Sequence, residues 1–200
     1  MEAIILAAGY SSRANAYKMT LPIGEKTVLE HTISKFEGVC SRVIIVIGYK
    51  PEIIEAEIVK VIAKAHYTYR IDLVFNKDFK QGMFSSIKAG CREIKSPNFF
   101  LTPGDCSLVN KETVKYLAKQ SGDVIIPSFT FKGGHPIKLS SKVKKQVLES
   151  NSENNLREVL NQYKRNYFAV NDPGVIMDID TPEDYQKALK YYQQSLHEKI

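Results

Sequence analysis

The first loop of the sequence carries two serines and two cations within ten residues of one glycine. The segment Leu6–Lys18 has the sequence LAAGYSSRANAYK and directly follows an apolar run. Small residues such as Gly9 let backbone N–H groups approach phosphate oxygens, and hydroxyl groups, Arg13 and Lys18 add charge-assisted donors. The pattern predicts a polyphosphate site, although an ordinary turn in which glycine serves only backbone geometry has the same residues.

Neither of the two common phosphate-binding fingerprints is present. The loop lacks a G-x-G-x-x-G pattern, and Gly24–Thr27 lacks the upstream glycine and the G-K-T order of a P-loop. Their absence argues against a dinucleotide-dependent oxidoreductase and against a P-loop kinase.

Two later segments place polar groups after apolar runs. Asp105 follows the apolar run Phe99–Thr102 and a glycine, where a carboxylate ligates Mg²⁺ or forms an Asx-turn. Gly82 opens a helix-period segment in which Ser86 either faces a ligand or caps the helix. Both alternatives stay open on the residues alone.

The second half of the chain adds a histidine and several acids. His135 lies between glycine and proline in a turn that links two predicted strands, where a lone histidine is usually a surface polar group. Asp178 and Asp180 would point to one face of a strand, because strand side chains alternate with period two. Asp184 lies in the first turn of the last predicted helix and favours its positive end.

Short apolar, β-branched runs alternate with segments of helical period, which predicts a mostly parallel central sheet with helices on both faces. There is no repeat and no linker-like stretch, so we expect one α/β domain spanning residues 1–200. The predicted strands are Ala3–Leu6, Val43–Ile47, Ile71–Phe75, Phe99–Thr102, Val124–Ile126, Phe168–Val170 and Val175–Met177. The predicted helices are Thr27–Phe36, Glu52–Lys64, Met83–Ile94, Lys111–Lys119, Asn155–Tyr163 and Pro182–Leu196.

The composition limits the class of protein. The chain has 200 residues, 44% of them hydrophobic and 25% charged, which is globular and not disordered composition. Its net charge of +6 suits nucleic acid, an anionic membrane surface or a phosphorylated ligand. The lysines are scattered over helices, and the tight motif clustering is at strand ends, so we expect no nucleic acid partner. No apolar stretch approaches the length of a membrane span, so we expect no membrane partner. Three dispersed cysteines and an acidic, short apolar start predict a cytoplasmic protein.

Five segments in order, Gly134–Pro136 among them, resemble the molybdopterin nucleotidyltransferase (NTP transferase) family. Leu6–Lys18 is similar to its L-A-x-G-x-S-x-R-x-G-x-x-K signature, with Asn15 in place of the second glycine. Gly82–Gly90 resembles G-M-x-x-S-[LI]-x-x-G, and Gly104–Val109 resembles G-D-x-P-x-[VL] with serine in place of proline. Asp178–Asp184 resembles D-[IV]-D-T-P-E-D.

The resemblance implies a Rossmann-like nucleotidyltransferase domain with one antiparallel strand late in the sheet. An acceptor phosphate would attack the α-phosphorus of an NTP and release pyrophosphate. Arg13, Lys18 and Asp105 would be catalytic, and Asp105 and Asp180 would bind Mg²⁺, with Asp178 as a secondary candidate. The residues implied to bind the nucleotide are Leu6, Ala7, Ala8, Gly9, Ser11, Arg13, Lys18, Asn76, Gly82 and Ser86.

The Gly134–Pro136 segment and the alanine at position 8 are similar to the cytidylyltransferase branch that acts on the molybdenum cofactor. They imply CTP as donor, a molybdopterin-type phosphorylated acceptor, His135 on the acceptor side, and a recipient molybdoenzyme or chaperone as a further partner. The alternatives are GMP transfer from GTP, NMP transfer to a sugar or alcohol phosphate, and a non-catalytic nucleotide-binding or nucleic-acid-binding domain.

Overall fold

The computed structural model describes residues 1–10, 17–64, 67–151 and 155–197. Ten strands alternate with seven helices along these residues. The strands are β1 (Glu2–Ala7), β2 (Pro22–Ile23), β3 (Lys26–Thr27), β4 (Arg42–Ile47), β5 (Arg70–Phe75), β6 (Asn98–Pro103), β7 (Val124–Phe129), β8 (Lys132–Gly133), β9 (Ile137–Ser140) and β10 (Arg165–Ala169). The helices are α1 (Val28–Ser34), α2 (Pro51–Lys64), α3 (Met83–Glu93), α4 (Lys111–Ala118), α5 (Ser141–Glu149), α6 (Leu156–Leu160) and α7 (Pro182–His197).

Eight of the strands form one sheet in the order β10-β7-β9-β6-β1-β4-β5, with β8 paired to β7. Strand β1 is parallel to both β4 and β6, and all its residues are buried, as expected for a strand covered on both faces. Strand β9 is antiparallel to β6 and β7. The mixed sheet confirms the predicted mostly parallel α/β fold with a late antiparallel strand.

Helices cover both faces of the sheet. Side chains of α1, α2 and α4 pack on one face, and side chains of α3, α5 and α6 pack on the other. Helix α7 lies against the small β2–β3 hairpin, where Ile23 and Ala188 are buried in a third cluster. Within the described residues, no helix combines the length and the apolar character needed to cross a membrane.

In the last third of the chain, one predicted strand is absent and one helix was not predicted. The predicted strand Val175–Met177 is a 3₁₀-helix at Pro173–Ile176, because Asp172 accepts a hydrogen bond from the Gly174 amide (3.1 Å) and starts a tight turn. Asp178 and Asp180 therefore follow a 3₁₀-helix and do not lie in a strand. Helix α5 was not predicted, because its buried apolar face consists of Val143 and Val147 in a lysine-rich segment.

Candidate active site

A cleft of about 390 Å³ lies beyond the carboxyl ends of β1 and β6. Strand β1 pairs with β4 on one side and β6 on the other, so chain connections run in opposite directions from this point. Ligands of open α/β sheets bind at such a switch point. The lining includes Leu6 and Gly9 after β1, Pro103 and Asp105 after β6, and Ser86 of α3.

One lysine and two carboxylates meet at this cleft. The Lys18 ammonium donates to Asp105 Oδ2 and, at 2.9 Å, to Asp180 Oδ1. Burial acts to lower the pKa of Lys18, but the two carboxylates outweigh it and raise that pKa. The site therefore combines a permanent cation with carboxylate oxygens that come from distant parts of the chain.

A third acid, Asp178, lines the same cleft. Its pKa is raised by burial and by repulsion from Asp105 and Asp180. We call Lys18, Asp105, Asp178 and Asp180 the carboxylate cluster. Over the described residues, no group of three or more His, Cys, Asp or Glu side chains is arranged to bind a metal ion by itself.

Helix α1 supports the Asp105 loop from behind. The Thr32 hydroxyl donates to the Gly104 carbonyl (2.7 Å), and the Lys35 ammonium donates to the Cys106 carbonyl. Lys35 is only 3% exposed, and burial lowers its pKa to about 8. These two bonds fix the backbone on both sides of Asp105. Burial also raises the pKa of the Cys106 thiol to about 12, so it is a poor nucleophile.

Most of the residues that the resemblance implied to bind the nucleotide line the first cleft, but not all of them do. Leu6, Ala8, Gly9, Lys18, Gly82 and Ser86 line the cleft. Ala7 points to the other face of the sheet, into the core formed with α1, α2 and α4. Ser11 and Arg13 lie outside the described residues.

Asn76 does not line this cleft, although it lies next to a residue that does. Its amide donates to Ser85 Oγ (2.8 Å) and Ser86 Oγ (3.0 Å), and its Oδ1 accepts from the Asp78 amide (3.0 Å). In this structure Asn76 therefore positions Ser86 from behind. Gly82 begins the loop-to-helix transition with a φ of +93°, a conformation that favours glycine.

A second cleft, of about 770 Å³, adjoins the first. Leu6, Met83, Pro103 and Asp178 line both clefts, so the two cavities share one wall. The second cleft runs below the β7–β8 hairpin toward β10, which lies four strands from β1.

Three cations line the second cleft: Lys132, Arg157 and Arg165. We call them the basic wall. Arg165 donates to the carbonyls of Arg157 (3.3 Å) and Leu160 (3.5 Å) in α6. Within the described ranges, none of the three forms an ion pair with a carboxylate. Cations that line a concave surface and have no carboxylate partner among the described residues are suited to an anionic ligand.

His135 lines the second cleft. Its backbone amide donates to the Val175 carbonyl (2.8 Å), and Gly134 packs so closely on Val175 that a Cβ there would lie 2.0 Å from the same oxygen. Nδ1 is buried and has no hydrogen-bond partner among the described residues. Burial lowers the pKa of His135 to about 4, so the ring is neutral at pH 7.

Sequence reasoning missed Arg157, Arg165 and Tyr167. Tyr167 is 54% exposed, and its ring lies over Gly133. These three residues belong to α6 and β10, which carry no recognisable motif. They reach the cleft because β10 pairs with β7. The available signal was one arginine inside the predicted helix Asn155–Tyr163 and one just after it, which does not specify a site without the topology.

A doubly wound α/β sheet with a polar cleft at its switch point defines a Rossmann-like nucleotide-binding protein. The model of the MobA-like NTP transferase domain matches residues 3–166, and the chain belongs to this family. It is therefore a nucleotidyltransferase.

Two curated relatives span nearly the whole chain. The chain is 29% identical over 197 residues to "Molybdenum cofactor cytidylyltransferase" of Escherichia coli K12, a match covering 96% of this chain and 97% of the relative. It is 22% identical over 201 residues to "Probable molybdenum cofactor guanylyltransferase" of Carboxydothermus hydrogenoformans, covering 94% of each.

Solved structures have the same fold. A nucleotidyl transferase from Methanothermobacter thermautotroptrophicus superposes with a TM-score of 0.81 at 17% identity, covering 97% of this chain and 98% of that one. A protein from Mycobacterium tuberculosis, crystallised as a complex with manganese, has a TM-score of 0.74 at 20% identity, covering 94% and 97%. Both matches confirm the Rossmann-like nucleotidyltransferase fold.

Proposed function

We propose that this nucleotidyltransferase transfers CMP from CTP to the phosphate of molybdopterin and releases pyrophosphate. The observation that carries the proposal is the shared wall: the carboxylate cluster lies in one cleft, and the basic wall lies in the adjoining cleft. A nucleoside triphosphate in the first cleft and a phosphorylated acceptor in the second would meet at Asp178. The names of both curated relatives support a molybdopterin-type acceptor, and that of the relative with the higher identity supports CTP.

A divalent cation fits the carboxylate cluster. Asp105 and Asp180 already face one positive charge, the Lys18 ammonium, and carboxylate oxygens are ligands that Mg²⁺ prefers. Magnesium takes one or two carboxylates and completes its shell with phosphate oxygens and water, so two protein ligands suffice. When bound, Mg²⁺ would neutralise charge on the reacting phosphates. Asp105 and Asp180 are its proposed ligands, and Asp178 is a secondary one.

The protein's own groups would position the reactants. Lys18, together with Arg13, would neutralise the triphosphate, while backbone amides near Gly9 would bind phosphate oxygens. The Gly82 turn and Ser86 would border the base and ribose. An acceptor phosphate is largely ionised near pH 7, so no side chain has to remove a proton from the nucleophile. Catalysis would then consist of orientation and electrostatic stabilisation.

The basic wall and His135 would bind the acceptor. Lys132, Arg157 and Arg165 would supply positive charge, and the neutral His135 ring would line the cleft beside them. The product would pass to a recipient molybdoenzyme or its chaperone in the cytoplasm. The whole of residues 1–200 would act as one domain.

The test measures pyrophosphate release with Mg²⁺ and molybdenum-loaded molybdopterin, with CTP or GTP as donor. We expect turnover with CTP and at most weak turnover with GTP. Turnover with GTP alone would assign the protein to guanylyl transfer, the activity in the name of the second curated relative. Turnover with a sugar phosphate and none with molybdopterin would overturn the acceptor assignment.

A further inference from the structure

The hairpin that joins β7 to β8 is built from unexpected residues. Phe129 pairs with Lys132, so the loop consists of two residues, Thr130 and Phe131. Both have positive φ values, +47° and +64°. Two-residue hairpins with positive φ at both positions strongly prefer asparagine, aspartate and glycine.

Neither threonine nor phenylalanine suits this backbone. Positive φ brings Cβ too close to the backbone, and a β-branched or bulky residue there is an outlier. An Asn-Gly pair forms the same turn without that clash, so the fold does not require these two residues. Strained backbone of this kind accumulates at ligand-binding segments.

The strained turn also presents an aromatic ring to solvent. Phe131 is fully exposed, in contrast to the buried phenylalanines of β6. The next two residues, Lys132 and Gly133, line the second cleft, and the exposed Tyr167 ring lies over Gly133. One accessible ring, Tyr167, therefore lines the second cleft, and a second, Phe131, directly precedes two residues that line it.

We infer that Phe131 is a specificity-determining residue that closes over the planar ring system of the acceptor. The inference rests on the proposed function: the acceptor occupies the second cleft, whose lining includes Lys132 and Gly133 of the β7–β8 hairpin, directly after Phe131. Stacking on a planar heteroaromatic ring buries a surface that otherwise faces water.

Thr130→Asn and Phe131→Asn form a matched pair of variants. Each places asparagine, which tolerates left-handed backbone, at one strained position, and only the second removes the ring. Both variants are expected to raise the melting temperature by about 3 °C. The KM for molybdenum-loaded molybdopterin is expected to rise about tenfold in Phe131→Asn and to stay unchanged in Thr130→Asn, with the KM for CTP unchanged in both. Phe131→Tyr should retain the wild-type KM for the acceptor.

An unchanged acceptor KM in Phe131→Asn would overturn the inference. If the acceptor KM is unchanged and transfer of the product to a recipient protein is slower, Phe131 contacts the recipient protein and not the acceptor. This result would also overturn the inference. Wild-type turnover with molybdopterin is measured first. Its absence would overturn the proposed function together with this inference, whereas an active wild type with an unaffected Phe131→Asn would contradict the inference alone.

Discussion

The two clefts differ in how their charges are balanced. In the first, the Lys18 ammonium already contacts Asp105 and Asp180, and the Asp105 loop is hydrogen-bonded from behind. In the second, the basic wall has no carboxylate partner within the described residues, and Nδ1 of His135 has no hydrogen-bond partner among them. The first cleft is thus preorganised by its own ion pairs, whereas the charges of the second would be balanced by its ligand. This difference predicts that substitutions in the first cleft reduce turnover, with a loss of stability where Lys18 is removed, whereas substitutions in the second cleft weaken acceptor binding without a loss of stability.

The largest effect is expected from Asp105→Asn. The substitution keeps the shape of the side chain and removes the charge that faces Lys18, so turnover should fall about 1,000-fold while the fold remains. Pyrophosphate release and circular dichroism measure the two properties. Asp72→Asn, which loses ion pairs to Arg42 and Arg70 away from both clefts, is the matched control and should keep wild-type turnover. Wild-type turnover in Asp105→Asn would remove this residue from the metal assignment.

Lys18→Met should reduce kcat/KM about 100-fold and also lower stability. Without the ammonium, the negative charges of Asp105 and Asp180 repel each other and no longer face Lys18. Pyrophosphate release and denaturant midpoints measure the two effects. An unchanged denaturant midpoint would show that Lys18 does not compensate these carboxylates.

Arg157→Gln tests whether the basic wall of the second cleft binds the acceptor. Its guanidinium forms no ion pair in the described part of the chain, so its loss should leave the melting temperature unchanged. The KM for the acceptor should rise about tenfold, with the KM for CTP unaffected. Arg92→Gln removes an exposed arginine that lines neither cleft, and serves as control. An equal rise in the KM values of both substrates would contradict separate clefts.

Lys35→Met should lower kcat about tenfold. The change removes the donor to the Cys106 carbonyl and lets the Asp105 loop shift, while the hydrophobic volume of the side chain is retained. Because the displaced residue is a proposed metal ligand, the Mg²⁺ concentration for half-maximal activity should also rise. A lower kcat with an unchanged Mg²⁺ requirement would indicate a purely structural role.

The smallest effect concerns acid stability. The His135 ring is neutral in the folded protein, with a pKa of about 4, whereas in the unfolded chain it takes up a proton near pH 6.5. Protonation therefore favours unfolding, and this contribution to stability is complete above pH 6.5 and is lost as pH falls toward 4. Denaturant midpoints should fall less between pH 6.5 and 4 in His135→Gln than in the wild type. Equal losses in both proteins would exclude this linkage.

The sequence predicted the first cleft better than the second, and the reason is physical. Gly9 and Asp105 follow buried strands, and parallel strands bring such positions to one edge of the sheet. Asp180 was paired with Asp105 through a family motif, although the strand assumed for it is absent. Arg157 and Arg165 come from α6 and β10, whose place in the cleft depends on the pairing of β10 with β7. Long-range strand pairing is not encoded in local periodicity, so these residues were missed.

The turn at Thr130 and Phe131 illustrates the same limit. The alternation of apolar and turn residues predicted two strands joined by a turn, and the structure confirms them as β7 and β9, with β8 between. Threonine and phenylalanine rarely adopt positive φ. Residue preferences therefore do not predict a two-residue turn at these positions.

A structure with CTP and Mg²⁺ bound would test whether the nucleotide and the metal ion bind in the first cleft. We expect the triphosphate between the Gly9 loop and Lys18, the metal ion on Asp105 and Asp180, and the ribose near Ser86. The second cleft should be empty. A nucleotide bound against the basic wall, or a metal ion bound away from Asp105 and Asp180, would contradict this prediction.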